Sequence, residues 1–511
     1  MSEPWWKSAV VYQIYPRSFC DTDADGIGDL EGIRRHLTHV RDLGADAIWI
    51  SPFFTSPMKD YGYDVSDYCD VDPLFGRLED FDRLVADAHA LGIKVLIDWV
   101  PNHTSDLHAW FQESRRSRDN PKADWYWWRD PDPVDPAKPP NNWVAAFTGG
   151  PAWTWDETRR QWYLHNFLKE QPDLNWRNPD VVAAMLDTLR FWLDRGVDGF
   201  RIDVVHLLGK PEDLPDGPVD EATGAVVPIH DYPDTHTHLK AIRQVLDSYP
   251  GDRTTVGEVY LMSTKRVATY YGEDHDELHL SFNFPPLWAP WTARAWRKRI
   301  ERVVEELHSR EAWPTWVLSN HDVVRHRTRY GSAEAARAAA VLLLTLRGTP
   351  FLYAGEELGL EDAIVPPERV LDPGGRDGCR APLPWDGTPT HGWATADPWL
   401  PWPPGADDGQ NVAAQDGDAS SFLGLYRRLL ELRRSSDALS LGDFAWLDGD
   451  VELPVDVLGY RRGGEWTVLV NYGAEAQPLP AGAIEGEAVL TSDGASFTGT
   501  LAPNQAVLLR H

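Results

Sequence analysis

The sequence predicts an α/β fold: a (β/α)8 TIM barrel with a loop-rich subdomain inserted after the third strand and an antiparallel β-domain at the C-terminus. Three observations predict it. Eight short, almost continuously apolar segments alternate with segments of helical spacing, the pattern of a parallel sheet buried on both faces. Several of those apolar segments end in acids or histidines. After Ser435 the helical spacing gives way to short apolar runs separated by turn residues.

Val10–Tyr15 reads as the first strand, followed by a helix from Asp29 to Gly44 with Leu30, Ile33, Leu37, Val40 and Leu43 on one face. Ala47–Ser51 is the second strand. A helix from Leu78 to Leu91 passes through Gly92 into the third, Lys94–Val100. The segment after Asn102, rich in Pro, Asp, Trp and Asn, departs from the repeat and is expected to form the insertion. The helix Pro179–Arg195 leads back to a fourth strand at Gly199–Val205, which carries Arg201 and Asp203 on one face. Later strands are expected at Thr255–Tyr260, Leu278–Phe284, Trp316–Ser319 and Pro350–Tyr353, with helices at Lys240–Tyr249, Trp296–His308, Ala333–Leu346 and Ser421–Ser435. The expected division is 1–103 with 177–436 as the catalytic barrel, 104–176 as the inserted subdomain, and 437–511 as a C-terminal β-sandwich.

Composition narrows the functional classes. A chain of 57.7 kDa is too long for one ordinary core, and 42% hydrophobic with 25% charged residues is that of a globular protein. With 49 Lys+Arg against 79 Asp+Glu, the formal net charge of −30 disfavours nucleic acid as a partner. No apolar run approaches the ~20 residues of a membrane helix, so no membrane partner is expected. Cys20, Cys69 and Cys379 are odd in number and widely spaced, which points to free thiols and a cytoplasmic location. The expected assembly is a monomer or weak homo-oligomer. About a quarter of the 25 tryptophans are expected to meet a ligand, the rest being packing.

In a barrel of this type the chemistry lies at the C-terminal ends of the strands. Those ends read Asp98-Trp99-Val100-Pro101-Asn102-His103, Arg201-Ile202-Asp203, Gly257-Glu258-Val259-Tyr260 and Ser319-Asn320-His321-Asp322. Asp203, Glu258 and Asp322 therefore converge on one rim. Two carboxylates flanking a bond are what glycoside hydrolysis needs, one as nucleophile or base and the other as acid. No histidine triplet or cysteine cluster suggests zinc, and no phosphate-binding glycine loop is present.

These four segments resemble the four motifs of the α-amylase family of glycoside hydrolases, family 13, over the chain from Trp5 onward. Gln171-Pro172-Asp173-Leu174-Asn175 and Asp60-Tyr61-Gly62-Tyr63-Asp64 resemble its oligo-1,6-glucosidase/α-glucosidase branch. The resemblance implies that Asp203 is the nucleophile, with Arg201 keeping it ionised. It makes Glu258 the general acid and base, and Asp322 the stabiliser of the transition state. It implies that His103 and His321 hold hydroxyls of the −1 sugar, that Asp98 shapes the site from behind, and that Asp60 and Tyr63 close the −1 pocket. Arg376 is the expected partner of Asp60, with Arg380 as its rival. The implied activity is that of a retaining, exo-acting α-glucosidase releasing glucose from the non-reducing end of short α-glucosides, α-1,4 and/or α-1,6, with transglucosylation as a possible accompaniment. The alternative is a transferring or isomerising enzyme of the trehalose-synthase, isomaltulose-synthase or sucrose-acting kind, with Arg325–Arg329 shaping its acceptor site.

The loop Asp21-Thr22-Asp23-Ala24-Asp25-Gly26-Ile27-Gly28-Asp29 places oxygen donors at alternating positions around a turn glycine. Asp21, Asp23, Asp25, the Ile27 carbonyl and Asp29 suit a structural Ca2+, or Mg2+ in its place. The resemblance favours a divalent ion here as well.

Overall fold

The computed structural model describes residues 3–220, 223–226, 230–372, 374–447 and 451–511. Its centre is an eight-stranded parallel sheet built from β1 (Val11–Ile14), β2 (Ala47–Ile50), β3 (Lys94–Trp99), β4 (Gly199–Ile202), β5 (Thr254–Gly257), β6 (Leu280–Ser281), β7 (Thr315–Val317) and β8 (Thr349–Tyr353). The ladder runs β6-β5-β4-β3-β2-β1-β8-β7. Between the outermost strands, Thr315 Oγ1 donates to the Ser281 carbonyl at 2.7 Å and draws the sheet towards closure. Inside lie Val11, Ala47, Trp49, Leu96, Val256, Leu280 and Phe351, so the barrel centre is packed side chain.

The helices form for local reasons that also fix their faces. In Pro179–Asp194, Asn178 caps the first turn by accepting from the Asp180 N–H, and Pro179 takes the position where a missing N–H costs nothing. Its Val181, Met185, Leu189 and Trp192 turn inward at intervals of three and four. The helix expected over Asp29–Gly44 is instead two, Leu30–Arg35 and Leu37–Leu43. His36 breaks it: its Nδ1 lies 2.9 Å from the Gly32 carbonyl, competing with the main chain for that oxygen. Ala333–Thr345 is buried almost all round because it lies between the barrel and the C-terminal sheet.

The insertion carries a three-stranded antiparallel sheet of Trp128–Arg129, Gln161–Leu164 and Trp153–Asp156. At the C-terminus β9 (Phe444–Trp446), β10 (Val457–Arg462), β11 (Trp466–Asn471), β12 (Glu487–Thr491) and β13 (Ala506–Arg510) form a five-stranded antiparallel sheet. A two-stranded ribbon of Gln477–Pro478 and Thr500–Leu501 accompanies it. Among the described residues no helix is long and apolar enough to cross a membrane.

Candidate active site

Three strand ends meet at Arg201. Register pairs Asp98 of β3 with Arg201 of β4, so the guanidinium lies between its neighbours. Its Nη1 donates to Asp98 Oδ1 at 2.8 Å and to Asp203 Oδ1 at 2.6 Å, and its Nη2 to Glu258 Oε2 at 2.6 Å. The fourth strand ends sooner than expected. Its ladder stops at Ile202, and Val204 takes a left-handed conformation with φ of 35°. That turn aims the Val204 N–H at Glu258 Oε2, 3.2 Å away. Asp203 and Glu258 thus share one guanidinium.

Burial pushes Asp203 well above the ordinary carboxylate range; Arg201 opposes this, while the charges of Glu258 and Asp98 add to it. Burial likewise raises Asp98 to about 6 against the pull of Arg201. Arg201 pulls Asp203 towards its charged form, the direction expected of it. Three acids share a single guanidinium, so the like charges of Glu258 and Asp98 raise Asp203 while Arg201 lowers it.

Asp322 has a different environment. Its Oδ1 accepts from Arg376 Nη1 at 3.0 Å and Arg380 Nη2 at 3.1 Å. Burial works against ionisation, but His321 at 3.4 Å and the two guanidiniums hold Asp322 below the usual range. Burial also lowers His321 to about 3, which leaves it neutral, so we credit the two arginines. Arg376 Nη2 reaches Asp60 Oδ1 at 2.9 Å, as expected, and pairs with Asp372 as well. Arg380 does not replace Arg376 at Asp60; it joins Arg376 on Asp322. Burial raises Asp60 to about 6 even against Arg376.

A cavity of about 430 Å³ opens onto these groups, lined by Asp60, Tyr63, His103, Asp203, Glu258, Asp322 and Arg376 among others. Its mouth is apolar: Val144, Tyr260 and Trp288 are 45%, 43% and 48% exposed, and the Tyr260 ring meets Phe284 at 5.0 Å. Trp288 is the one tryptophan in the described lining, far from the expected quarter of them.

Two expected groups lie behind the wall. Arg201 acts from beneath through its carboxylates. His321 is fully buried, with Nδ1 at 2.7 Å from Gln13 Nε2 and Nε2 at 2.6 Å from the Tyr63 hydroxyl. It lies against Tyr63 and Asp322 behind the cavity lining, stacked between the rings of Tyr15 and Tyr63. The basic run Arg325–Arg329 also lies outside the lining: Arg325 donates to the Ala354 carbonyl and Arg329 to the carbonyls of Leu287 and Leu318. Sequence reasoning used Gln171 only as a motif residue. Its amide donates to Asp60 Oδ2 at 3.0 Å and lies 3.1 Å from His103 Nε2, tying the insertion to the pocket floor.

In the acidic loop, one oxygen each of Asp21, Asp23 and Asp29 lie within 4.8 Å of one another. Gly26 turns the chain at φ of 86°, and the donors are all hard oxygens, which fits Ca2+ or Mg2+. Asp25 is outside that trio; its carboxylate accepts from the Ile27 N–H at 2.8 Å.

The family described as "Alpha amylase, catalytic domain" matches residues 13–442. A "Probable alpha-glucosidase" of Rhizobium meliloti (strain 1021) is 46% identical over 490 residues, covering 90% of this chain and 87% of that protein. An "Oligo-1,6-glucosidase" of Heyndrickxia coagulans is 40% identical over 497 residues, covering 87% and 88%. Among solved structures, an "alpha-glucosyl transfer enzyme", 43% identical, superposes with a TM-score of 0.90 over 100% of both chains. A "trehalulose synthase" of Pseudomonas mesoacidophila MX-45, 33% identical, does so with 0.90 over 100% of both. The strand-end motifs, the barrel and these matches agree: the chain belongs to the α-amylase family of glycoside hydrolases.

Proposed function

We propose that this enzyme is a retaining, exo-acting α-glucosidase that releases glucose from the non-reducing end of short α-glucosides, α-1,4 and/or α-1,6. The observation that carries the reading is the Asp203–Glu258 pair: both carboxylates bind one guanidinium, Asp203 Oδ1 on Nη1 and Glu258 Oε2 on Nη2, each at 2.6 Å, which sets them side by side as retaining chemistry needs. Asp203 attacks the anomeric carbon while Glu258, as general acid, protonates the leaving oxygen. Glu258 then takes a proton from water, which breaks the glucosyl–Asp203 ester. Asp322, kept charged by Arg376 and Arg380, accepts hydrogen bonds from sugar hydroxyls that strengthen in the transition state. The Asp60–Arg376 pair closes the inner end, which favours removal of one glucose at a time.

The apolar mouth supports a second, accompanying activity. Val144, Tyr260 and Trp288 leave few groups to order an attacking water, so a sugar acceptor competes and transfer products accumulate. A product time course on maltose, isomaltose and sucrose tests both readings. Glucose released first as the α-anomer supports the hydrolase; release as the β-anomer, or preference for starch over all three sugars, overturns it. Isomerised disaccharide as the main product favours the alternative enzyme.

The acidic loop would hold Ca2+, or Mg2+, through Asp21, Asp23, Asp25, Asp29 and the Ile27 carbonyl, bracing the turn that leads into Leu30–Arg35. Metal analysis after exhaustive dialysis, read beside thermal unfolding, tests this. An empty loop with unchanged unfolding ends the idea. Among the described residues, the three cysteines are free thiols, which supports a cytoplasmic location. A monomer or weak homo-oligomer remains the expected state in sedimentation.

A further inference from the structure

Lys210 is 2% exposed, eight residues beyond the end of β4, and has no part in the chemistry above. A buried ammonium is expensive unless every N–H finds a partner. This one finds three, from three different segments. It donates to Asn102 Oδ1 at 2.9 Å, after β3, and to the Leu207 carbonyl at 2.7 Å, in the turn after Asp203. It also pairs with Asp173 Oδ2 at 3.0 Å, on the strand returning from the insertion. Each of the three segments supplies the cavity wall, through His103, Leu207 and Asn166 respectively; Asp173 Oδ1 accepts from the Asn166 N–H at 2.9 Å.

The contact with Asn102 has a chemical consequence. An ammonium has only donors, so it must face the amide oxygen of Asn102. That turns the amide NH2 towards His103 Nδ1, 3.1 Å away, which must then accept. A neutral imidazole that accepts at Nδ1 carries its proton on Nε2. The acceptor at Nε2 is the Tyr63 carbonyl at 3.1 Å; the Gln171 NH2, also 3.1 Å away with one hydrogen on Asp60, brings a competing donor, so the contact of Nδ1 with Asn102 decides the tautomer. Without the charge of Lys210 the Asn102 amide is free to turn over, and the other tautomer becomes accessible.

We propose that Lys210 is a positioning residue: by orienting Asn102 it holds His103 as the Nε2–H tautomer, which donates to the Tyr63 carbonyl and so anchors the ring and the Tyr63 main chain at the inner end of the cavity. The inference rests on the functional reading only for what His103 and Tyr63 together meet in the cavity, a sugar. Burial keeps the ring neutral, with a pKa lowered to about 4, so the tautomer rather than the charge is what the protein must set.

The test uses the full-length enzyme and two variants, Lys210→Met and, should that chain fail to fold, Asn102→Ala. The first readout is the 15N spectrum of the histidine side chains, with His103 assigned by its absence from His103→Ala. The parent is expected to show Nε2–H alone and either variant a tautomer mixture; an unchanged Nε2–H signal in a folded variant overturns the proposal. This readout needs no turnover, so it stands even if the parent proves inactive on every α-glucoside, a result that would remove the functional reading instead. The second readout is kinetic. Lys210→Met should lower kcat by roughly 10–100-fold, the usual scale for groups that orient a binding residue, with a smaller change in KM. In that background His103→Ala should cost much less than in the parent. Independent, multiplying effects, or a lowered Tm with kcat intact, would reduce Lys210 to a structural residue.

Discussion

At the scale of single residues, the site is governed by how many acids each cation serves. Arg201 is divided among Asp98, Asp203 and Glu258, whereas Arg376 and Arg380 together serve Asp322, which stays charged. Asp203→Asn keeps the shape but not the nucleophile and should lose several orders of magnitude in kcat, measured by glucose release from maltose. Asp60 and Asp98, both raised by burial to about 6, should set the acid limb of the activity profile near that pH, as the pairs with Arg376 and Arg201 lose charge. Stability should move the other way. These acids have a higher pKa folded than unfolded, near 3.8, so their contribution to folding is fully present below 3.8 and is lost as pH rises through about 6. Thermal unfolding across pH 4–7 checks the sign. In Asp60→Asn that slope should flatten. A slope that stayed as steep would contradict the assignment for Asp60.

At the scale of elements, the sequence was most legible where one local pattern settles the outcome. The helix Pro179–Asp194 lies almost as its cap, its leading proline and its apolar spacing indicate. The acidic loop and the strand-end motifs were equally visible, because each is a short contiguous run. Where a neighbour competes, legibility fails: His36 takes the Gly32 carbonyl and splits one expected helix in two, and Val204 ends β4 early by turning left-handed beside Glu258. The helix Ala333–Thr345 shows how a small residue becomes a packing constraint. Ala339 is fully buried, and Ala339→Leu should cost about 1–3 kcal/mol in denaturant unfolding, because the added carbons have nowhere to go. A neutral outcome would mean that the barrel and the C-terminal sheet can separate there.

At the scale of the whole molecule, two buried arginines, Arg433 of the helix Phe422–Arg434 and Arg462 of β10, meet at the end of Ala333–Thr345, and Arg462 joins it to the C-terminal sheet. Arg433 donates to the carbonyls of Leu344, Leu439 and Gly348 at 3.1, 3.1 and 2.6 Å. Arg462 of β10 donates to the carbonyls of Thr345 and Gly442. Both thus complete the C-terminal end of Ala333–Thr345, where carbonyl oxygens lack helical partners and a positive charge is favoured. Burial lowers Arg433 to about 10 and Arg462 to about 9, so both remain charged at neutral pH. Arg462→Met should destabilise the fold by about 3 kcal/mol, since it strands buried carbonyls. Unchanged urea unfolding would show that the junction does not depend on it.

By itself, the sequence determined the barrel, its β-domain and the three carboxylates. Each of these is written either in local periodicity or in short motifs at strand ends, whose destination follows from the topology of a parallel barrel. Only the tertiary structure decided which groups face the cavity and which stand behind it. His321 turned inward, Arg325–Arg329 turned away, Arg380 joined Asp322, and Lys210 gathered Asn102, Leu207 and Asp173. The reason is physical. A buried charge takes its partners from segments that are distant in the chain and adjacent only after packing, so no window of sequence contains the whole of its environment.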